Sequence, residues 1–266
     1  MRIPKETVIL IILLTVFAFY LYHNGGLPSC SVTLPNFDAT DHSEIFNNEW
    51  YKPYSEEAES NMKVFSSKRE AIDTLNSLEI ADADDSPYGA DIRNNQYGGW
   101  KDIKGWSTRD EVLSLTAQNA EKSDTAFISG TWNSPYTGQD IECESKTEVA
   151  KNIQIDHIIP IAYVNRHGGY SWDEDKKKEY YNDYGVQTDW TVGANDTNDY
   201  EKCGVLLASD YKSNIQKSDK GPSEWMPSNE SYRQEYCERW VKIASVYGIS
   251  ITQSDYDTLL HYLQAA

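Results

Sequence analysis

The sequence predicts an α+β fold: a mostly helical domain with two short strands and a following helix at its centre. Three observations carry that expectation. Apolar residues recur at helical spacing in several separate stretches. Two short aliphatic runs, residues 153–159 and 205–209, have the composition of buried strands. Turn-forming residues gather between 125 and 145, where short strands are expected around "SPYTGQD".

The elements follow in order. "MRIPKETVILIILLTVFAFYLYHNGG" places Arg2 and Lys5 before an apolar run from Val8 to Tyr22, which suits a signal peptide or an N-terminal membrane anchor over residues 1–25. Either way the basic flank stays cytoplasmic and the remainder is exported, secreted or anchored by a single pass. Residues 26–65 are polar and aperiodic and read as a linker or stalk, leaving 66–266 as the folded domain. A first helix is expected at 66–79, with Ala71, Ile72, Leu75 and Leu78 on one face. A loop follows. Then "STRDEVLSLTAQN" opens a helix, with Thr108 and Glu111 as a capping box and Val112 and Leu115 inward.

"WDEDKKKEYYND" reads as a charged helix, and 184–203 as a polar excursion. After the second strand, "VLLAS", Ser209 or Asp210 caps a helix running to about Gln216. Two amphipathic helices, 229–246 and 254–264, finish the chain, with Tyr236, Trp240, Ile243 and Tyr247 facing the core.

The 266 residues carry a formal net charge of −18, a field that repels nucleic acid unless positive charge or a metal is concentrated locally. Residues 26–150 hold 10 Lys and Arg against 23 Asp and Glu, whereas 210–242 hold six of each, so the acidity lies away from the later segment. Four cysteines, Cys30, Cys143, Cys203 and Cys237, in an exported chain favour disulfides over a zinc site, since no C-x-x-C is present. "NDT" at 195–197 and "NES" at 229–231 match the glycosylation sequon.

The chemistry centres on "NIQIDHIIPIAYV", residues 152–164, where Asp156 and His157 interrupt an aliphatic run. A buried carboxylate needs an opposite charge beside it. In sequence the nearest basic residues are Lys151 and Arg166, so a bound cation is the alternative. If the two strands pair and the next helix packs across them, Asp156, His157 and Asn214 converge. A carboxylate and an amide oxygen suit magnesium or a similar hard cation, and a neutral imidazole beside it can take a proton from water.

"IDHIIP" followed by "NIQKSDKGPSEWMP" resembles the HNH, or ββα-metal, nuclease superfamily. The spacing also resembles the HNH domain of CRISPR RNA-guided nucleases. A closer likeness is to secreted HNH endonuclease family proteins. It spans about residues 68–264 and includes "LNSLEIADADDSPY", "GGW", "STRDEVL", "SGTWNSPYTGQDI", "EYYND" and "YGISIT".

The resemblance implies a ββα-metal core embedded in a mostly helical domain, and a divalent cofactor, Mg2+ or Mn2+. It implies hydrolysis of nucleic-acid phosphodiesters, DNA in preference to RNA, with low sequence specificity. Asp156 and Asn214 would hold the ion and His157 would be the general base. Lys217 and Lys220 would touch phosphate, with Arg109 a further substrate contact. Three features depart from the pattern: Trp106 where many relatives have Cys, Val205 where Asn is common, and the 184–203 excursion.

Other residues have plainer expectations. Asp210 is a helix cap, His167 an exposed loop histidine, and Lys176, Lys177 and Lys178 a solvated helix face. The aromatic residues belong to the core. No obligate protein partner is implied. The alternative function is a catalytically silent extracellular binding domain on the same scaffold.

Overall fold

A computed structural model describes residues 64–103, 106–123, 126–185 and 203–265. The apolar leader, nearly all of the linker, Cys30, the 195–197 sequon and most of the 184–203 excursion lie outside these residues. Among the described residues no helix is long and apolar enough to cross a membrane.

The architecture is α+β, with a set of helices, a three-stranded antiparallel sheet and two two-stranded antiparallel pairs among the described residues. Helix α1 (Lys68–Ser77) is capped by Ser67, whose side chain accepts from the Glu70 N–H. Its Ala71 and Leu75 are buried one turn apart, with Ile72 and Leu78 half-buried beside them. Two short strands, β1 (Asp102–Ile103) and β2 (Trp106–Ser107), lead into helix α2 (Thr108–Thr116). The capping box falls one residue earlier than the sequence suggested: Ser107 and Asp110 form it. Thr108 is unavailable because its buried hydroxyl donates to Asn182 Oδ1 at 2.6 Å. Leu113 faces inward in place of Leu115, which is exposed.

The helix that "STRDEVLSLTAQN" opens ends at Thr116. From Ala117 the chain becomes β3 (Ala117–Ser123), the outer neighbour of β4 (Ala126–Ser134). Pairing with the longer β4 prevails over local helical preference. Gly138, left-handed at φ 69°, donates to the Ser134 carbonyl and turns the chain into β5 (Gln139–Cys143), as the "SPYTGQD" pattern predicts.

Helix α3 (Lys146–Asn152) delivers β6 (Ile153–His157), and helix α4 (Ile161–Arg166) follows it; the aliphatic run concealed this last helix. Then come α5 (Glu174–Asn182), β7 (Leu206–Asp210), α6 (Tyr211–Lys217), α7 (Arg233–Tyr247) and α8 (Gln253–Ala265).

β6 and β7 pair antiparallel, with Ile155 opposite Ala208, Asp156 opposite Leu207 and His157 opposite Leu206. This pair divides two apolar clusters. Ile153, Ile155, Leu206 and Ala208 pack with Leu113, Phe127 and Trp132 on one side. Leu207 belongs to the larger helical cluster, with Tyr236, Trp240, Ile243 and Tyr247, all buried as expected. Two-residue alternation therefore sends Asp156 toward the helical side.

Three expectations are corrected. His167 is buried, not exposed, and stacks on Tyr163 with ring centroids 4.0 Å apart. Lys177 is buried, donating to Gln96 Oε1 and the Tyr170 carbonyl, and Lys176 donates to the Tyr247 carbonyl over the Trp172 ring. Of the three lysines Lys178 makes a side-chain ion pair with the outward carboxylate of Glu174. Cys143 and Cys237 are free, buried thiols in different clusters, so packing rather than a bridge occupies them.

Candidate active site around Asp156 and His157

The sequence raised the question of what balances a carboxylate inside an aliphatic strand. Lys217, 61 residues further on, is that partner. Its ammonium lies 2.9 Å from Asp156 Oδ2 and 3.1 Å from Oδ1, and it donates to the His157 carbonyl at 2.8 Å. An ammonium has three hydrogens, so these acceptors saturate it. Lys217 is fully buried, and burial draws its pKa down while Asp156 pulls it the other way. Asp156 Oδ2 also accepts from the Tyr136 hydroxyl at 2.7 Å.

Each partner is placed by its own segment. Tyr136 sits in the β4–β5 turn and is fully buried. Its carbonyl accepts from the Asn229 N–H and the Ser228 hydroxyl, while the Asn229 side-chain amide, part of the second sequon, donates to Pro135. Lys217 ends α6, whose N-cap is Asp210, as expected. Asp210 accepts from the Ser213 N–H through one oxygen and from the Ser134 hydroxyl through the other, so it is spent on structure.

His157, the last residue of β6, has a different setting. The imidazole lies between Trp100 (5.8 Å between centroids, 8° between planes) and Tyr180 (5.9 Å, 21°), with Tyr181 tilted against it at 4.8 Å. Its Nε2 is 3.1 Å from the Tyr181 carbonyl. A carbonyl only accepts, so Nε2 carries the hydrogen and the lone pair lies on Nδ1. Burial pushes the pKa down to about 3, which keeps the ring neutral.

The strand pairing beside this ring is secured by Asp183. This fully buried carboxylate accepts from the N–H groups of Gly185, Cys203 and Gly204 and from the Tyr247 hydroxyl. It closes the neck of the 184–203 excursion and aligns β7, whose Leu206 N–H reaches the Asp183 carbonyl.

The other sequence-derived candidates fall as follows. Asn214 is half-buried on α6, one turn before Lys217, and its side chain has no hydrogen-bond partner among the described residues. No direct hydrogen bond joins it to Asp156 or His157. Arg109 donates to the carbonyls of Ile153 (3.1 Å) and Val149 (3.5 Å), stapling α2 to the start of β6. Lys220 turns back onto the Gln216 carbonyl at 2.7 Å. Thus the structure joins Asp156 to Lys217 directly, and the Lys217 ammonium reaches the His157 backbone carbonyl but not the imidazole. It sets Arg109 apart, and Asn214 lies on α6 one turn before Lys217.

Sequence reasoning missed Tyr136, Trp100 and Asp183 as parts of this site. The signal was present: "GGW", "SPYTG", "EYYND" and "NIQK" each supply a contact to Asp156 or His157, or to the strand beside them. Read singly, each is turn or core chemistry.

A carboxylate and an amide are donor types that a hard cation takes, but both oxygens of Asp156 are already engaged by the Lys217 ammonium and the Tyr136 hydroxyl. Among the described residues no group of three or more His, Cys, Asp or Glu side chains is placed to hold a metal.

No protein-family model and no solved structure matches the chain. A curated relative from Arthroderma benhamiae, described as an uncharacterized secreted protein, is 28% identical over 171 residues, covering 64% of this chain and 72% of the relative.

Proposed function

We propose that this chain is an exported HNH-type endonuclease that hydrolyses nucleic-acid phosphodiester bonds, DNA before RNA, with low sequence specificity. The supporting observation is the convergence of four distant segments on adjacent Asp156 and His157 at the end of a buried strand. Export is supported by the relative's description as secreted and by the basic-then-apolar leader.

In this reading His157 is the general base. The Tyr181 carbonyl holds its Nε2–H and Trp100 and Tyr180 fix the ring plane, leaving Nδ1 as the nitrogen that takes the proton of the attacking water. As the water oxygen bonds to phosphorus, its proton passes to Nδ1; the bond to the 3′ oxygen breaks and that oxygen is protonated from solvent. By resemblance the products carry 5′-phosphate and 3′-hydroxyl ends.

Asp156 and Asn214 would hold a divalent ion, Mg2+ or Mn2+. That ion would acidify the water and stabilise charge on the phosphoryl oxygens. Such acidification matters because an imidazole of pKa about 3 is a weak base. Lys220, at the end of the charge-balanced segment, would meet phosphate.

The assay is cleavage of plasmid and single-stranded DNA by the purified chain, with Mg2+ or Mn2+ and with chelator. Cutting should require the ion and fall at least about a thousandfold in His157→Ala, as for loss of a general base. Undiminished cutting by a folded His157→Ala protein removes the base assignment. One observation favours the silent binding domain: Lys217 and Tyr136 already satisfy Asp156. That reading is upheld if the chain binds a partner but cuts nothing with any divalent ion.

A further inference from the structure

We propose that Arg93 and Tyr88 hold a phosphate group of a nucleic-acid strand beside His157. Both would be substrate contacts of the proposed nuclease, so the assignment rests on that reading; it needs no divalent ion at Asp156.

The two side chains belong to a segment that wraps the imidazole. Asn165 donates to the Pro87 carbonyl at 3.0 Å and fixes the chain just before Tyr88. The π-helical turn Arg93–Tyr97 follows, a wide turn of a kind that recurs at functional sites. It is pinned to α5, because Gln96 accepts from Lys177 and the Lys101 N–H donates to Asn182 Oδ1 at 2.9 Å. Trp100 ends the segment and stacks on His157, while α5 supplies Tyr180 and Tyr181.

Arg93 is electrostatically close to that ring. Burial is the main cause of the lowered His157 pKa, and of the two cations that lower it further Arg93 acts ahead of Lys217. Lys217 bonds the His157 carbonyl at 2.8 Å, so Arg93 is no remote charge. Burial raises the pKa of Tyr88 and Arg93 opposes the rise; Tyr181, whose carbonyl holds the His157 ring, also acts on this hydroxyl.

Other cations near the site are already spent. Lys217 is saturated, Arg109 is tied to two carbonyls, and Arg166 pairs with Asp219 at 3.5 Å. Arg93 is exposed, and neither its guanidinium nor the Tyr88 hydroxyl has a hydrogen-bond partner among the described residues. A guanidinium presents paired N–H donors that match two phosphate oxygens, and a phenol adds one O–H. Nearby acids do not cancel this charge. Asp91, two residues before Arg93, lies off its side of the turn, and Asp82 and Asp84 act on His167. A chain of net charge −18 thus keeps an uncommitted guanidinium next to its candidate base, where a phosphate needs it.

The test is binding of a labelled single-stranded DNA oligonucleotide to the full chain, read by fluorescence anisotropy with chelator present over a series of salt concentrations. Arg93→Gln should weaken binding about tenfold and reduce the slope of log affinity against log salt by about 0.7, as for loss of one phosphate contact. Arg93→Lys should restore most of the slope. Tyr88→Phe should weaken binding about threefold and leave the slope unchanged.

Unchanged affinity and slope in a folded Arg93→Gln protein overturn the assignment and leave the nuclease reading standing. Weaker binding at an unchanged slope also overturns it, since a structural defect rather than a lost phosphate contact has that signature. If the wild-type chain binds no oligonucleotide, the nucleic-acid reading falls and these contacts with it. Should Arg93→Gln not fold, the 15N signal of the wild-type Arg93 side chain decides: it shifts on addition of the oligonucleotide, or the assignment is wrong.

Discussion

Replacing His157 with Gln should flatten the stability of the protein between pH 7 and pH 5. The imidazole is enclosed by Trp100, Tyr180 and Tyr181 and donates to a carbonyl, so the fold accepts its neutral form. Burial holds its pKa at about 3, against 6.5 for an unperturbed imidazole. The unfolded chain therefore binds a proton at His157 through a range where the native protein binds none.

With more protons on the unfolded state, stability rises with pH. The contribution is complete above the unfolded pKa, and falls as pH drops from 6.5 toward 3. At pH 5 the native ring is still neutral while the unfolded one is almost wholly charged. The linkage integral then amounts to about 2 kcal/mol lost between pH 7 and pH 5 from this residue alone.

Gln can still donate to the Tyr181 carbonyl but does not titrate. The assay is urea unfolding of wild type and His157→Gln, followed by tryptophan fluorescence at pH 7, 6 and 5. His167, whose pKa is also lowered by burial, contributes equally to both proteins and cancels in the difference. Wild type should lose about 2 kcal/mol more than the variant. Parallel pH profiles would refute the claim that His157 is held neutral by its surroundings, and with it the availability of its lone pair.

Two further outcomes concern Asp156. Tyr136→Phe removes a hydroxyl donor to this buried carboxylate and should cost about 1.5–3 kcal/mol, measured by urea unfolding at neutral pH. Lys217→Met alone should cost about 3–5 kcal/mol because it strands the charge of Asp156. The double variant Asp156→Asn, Lys217→Met should recover much of that loss; additive costs in the same unfolding experiment would mean the two side chains do not interact.

The segments that build the domain could be read from local pattern because their signals are local. Ala71 and Leu75 recur at helical spacing in α1, and Tyr236, Trp240, Ile243 and Tyr247 do so in α7. The aliphatic runs of β6 and β7 and the Asp210 cap of α6 are equally visible. Errors arose where a distant element took a residue from its local role. Asn182 engaged Thr108 and moved the capping box to Ser107; β4 paired with β3 and ended a helix early. The arrival of Gln96 and Tyr170 drew Lys177 inward, and Tyr163 provided a stacking face for His167.

By itself the sequence established that Asp156 and His157 lie adjacent in an apolar strand, and that the charge there needs compensation. Which cation compensates it was decided only by the tertiary structure. The Lys217 ammonium meets Asp156 because α6 follows β7 and packs across β6, a contact between residues 61 positions apart. Hydrophobic periodicity records which face of an element is buried. It carries no record of which buried faces meet, and electrostatic pairing in a low-dielectric interior depends on that meeting at a distance of a few ångströms.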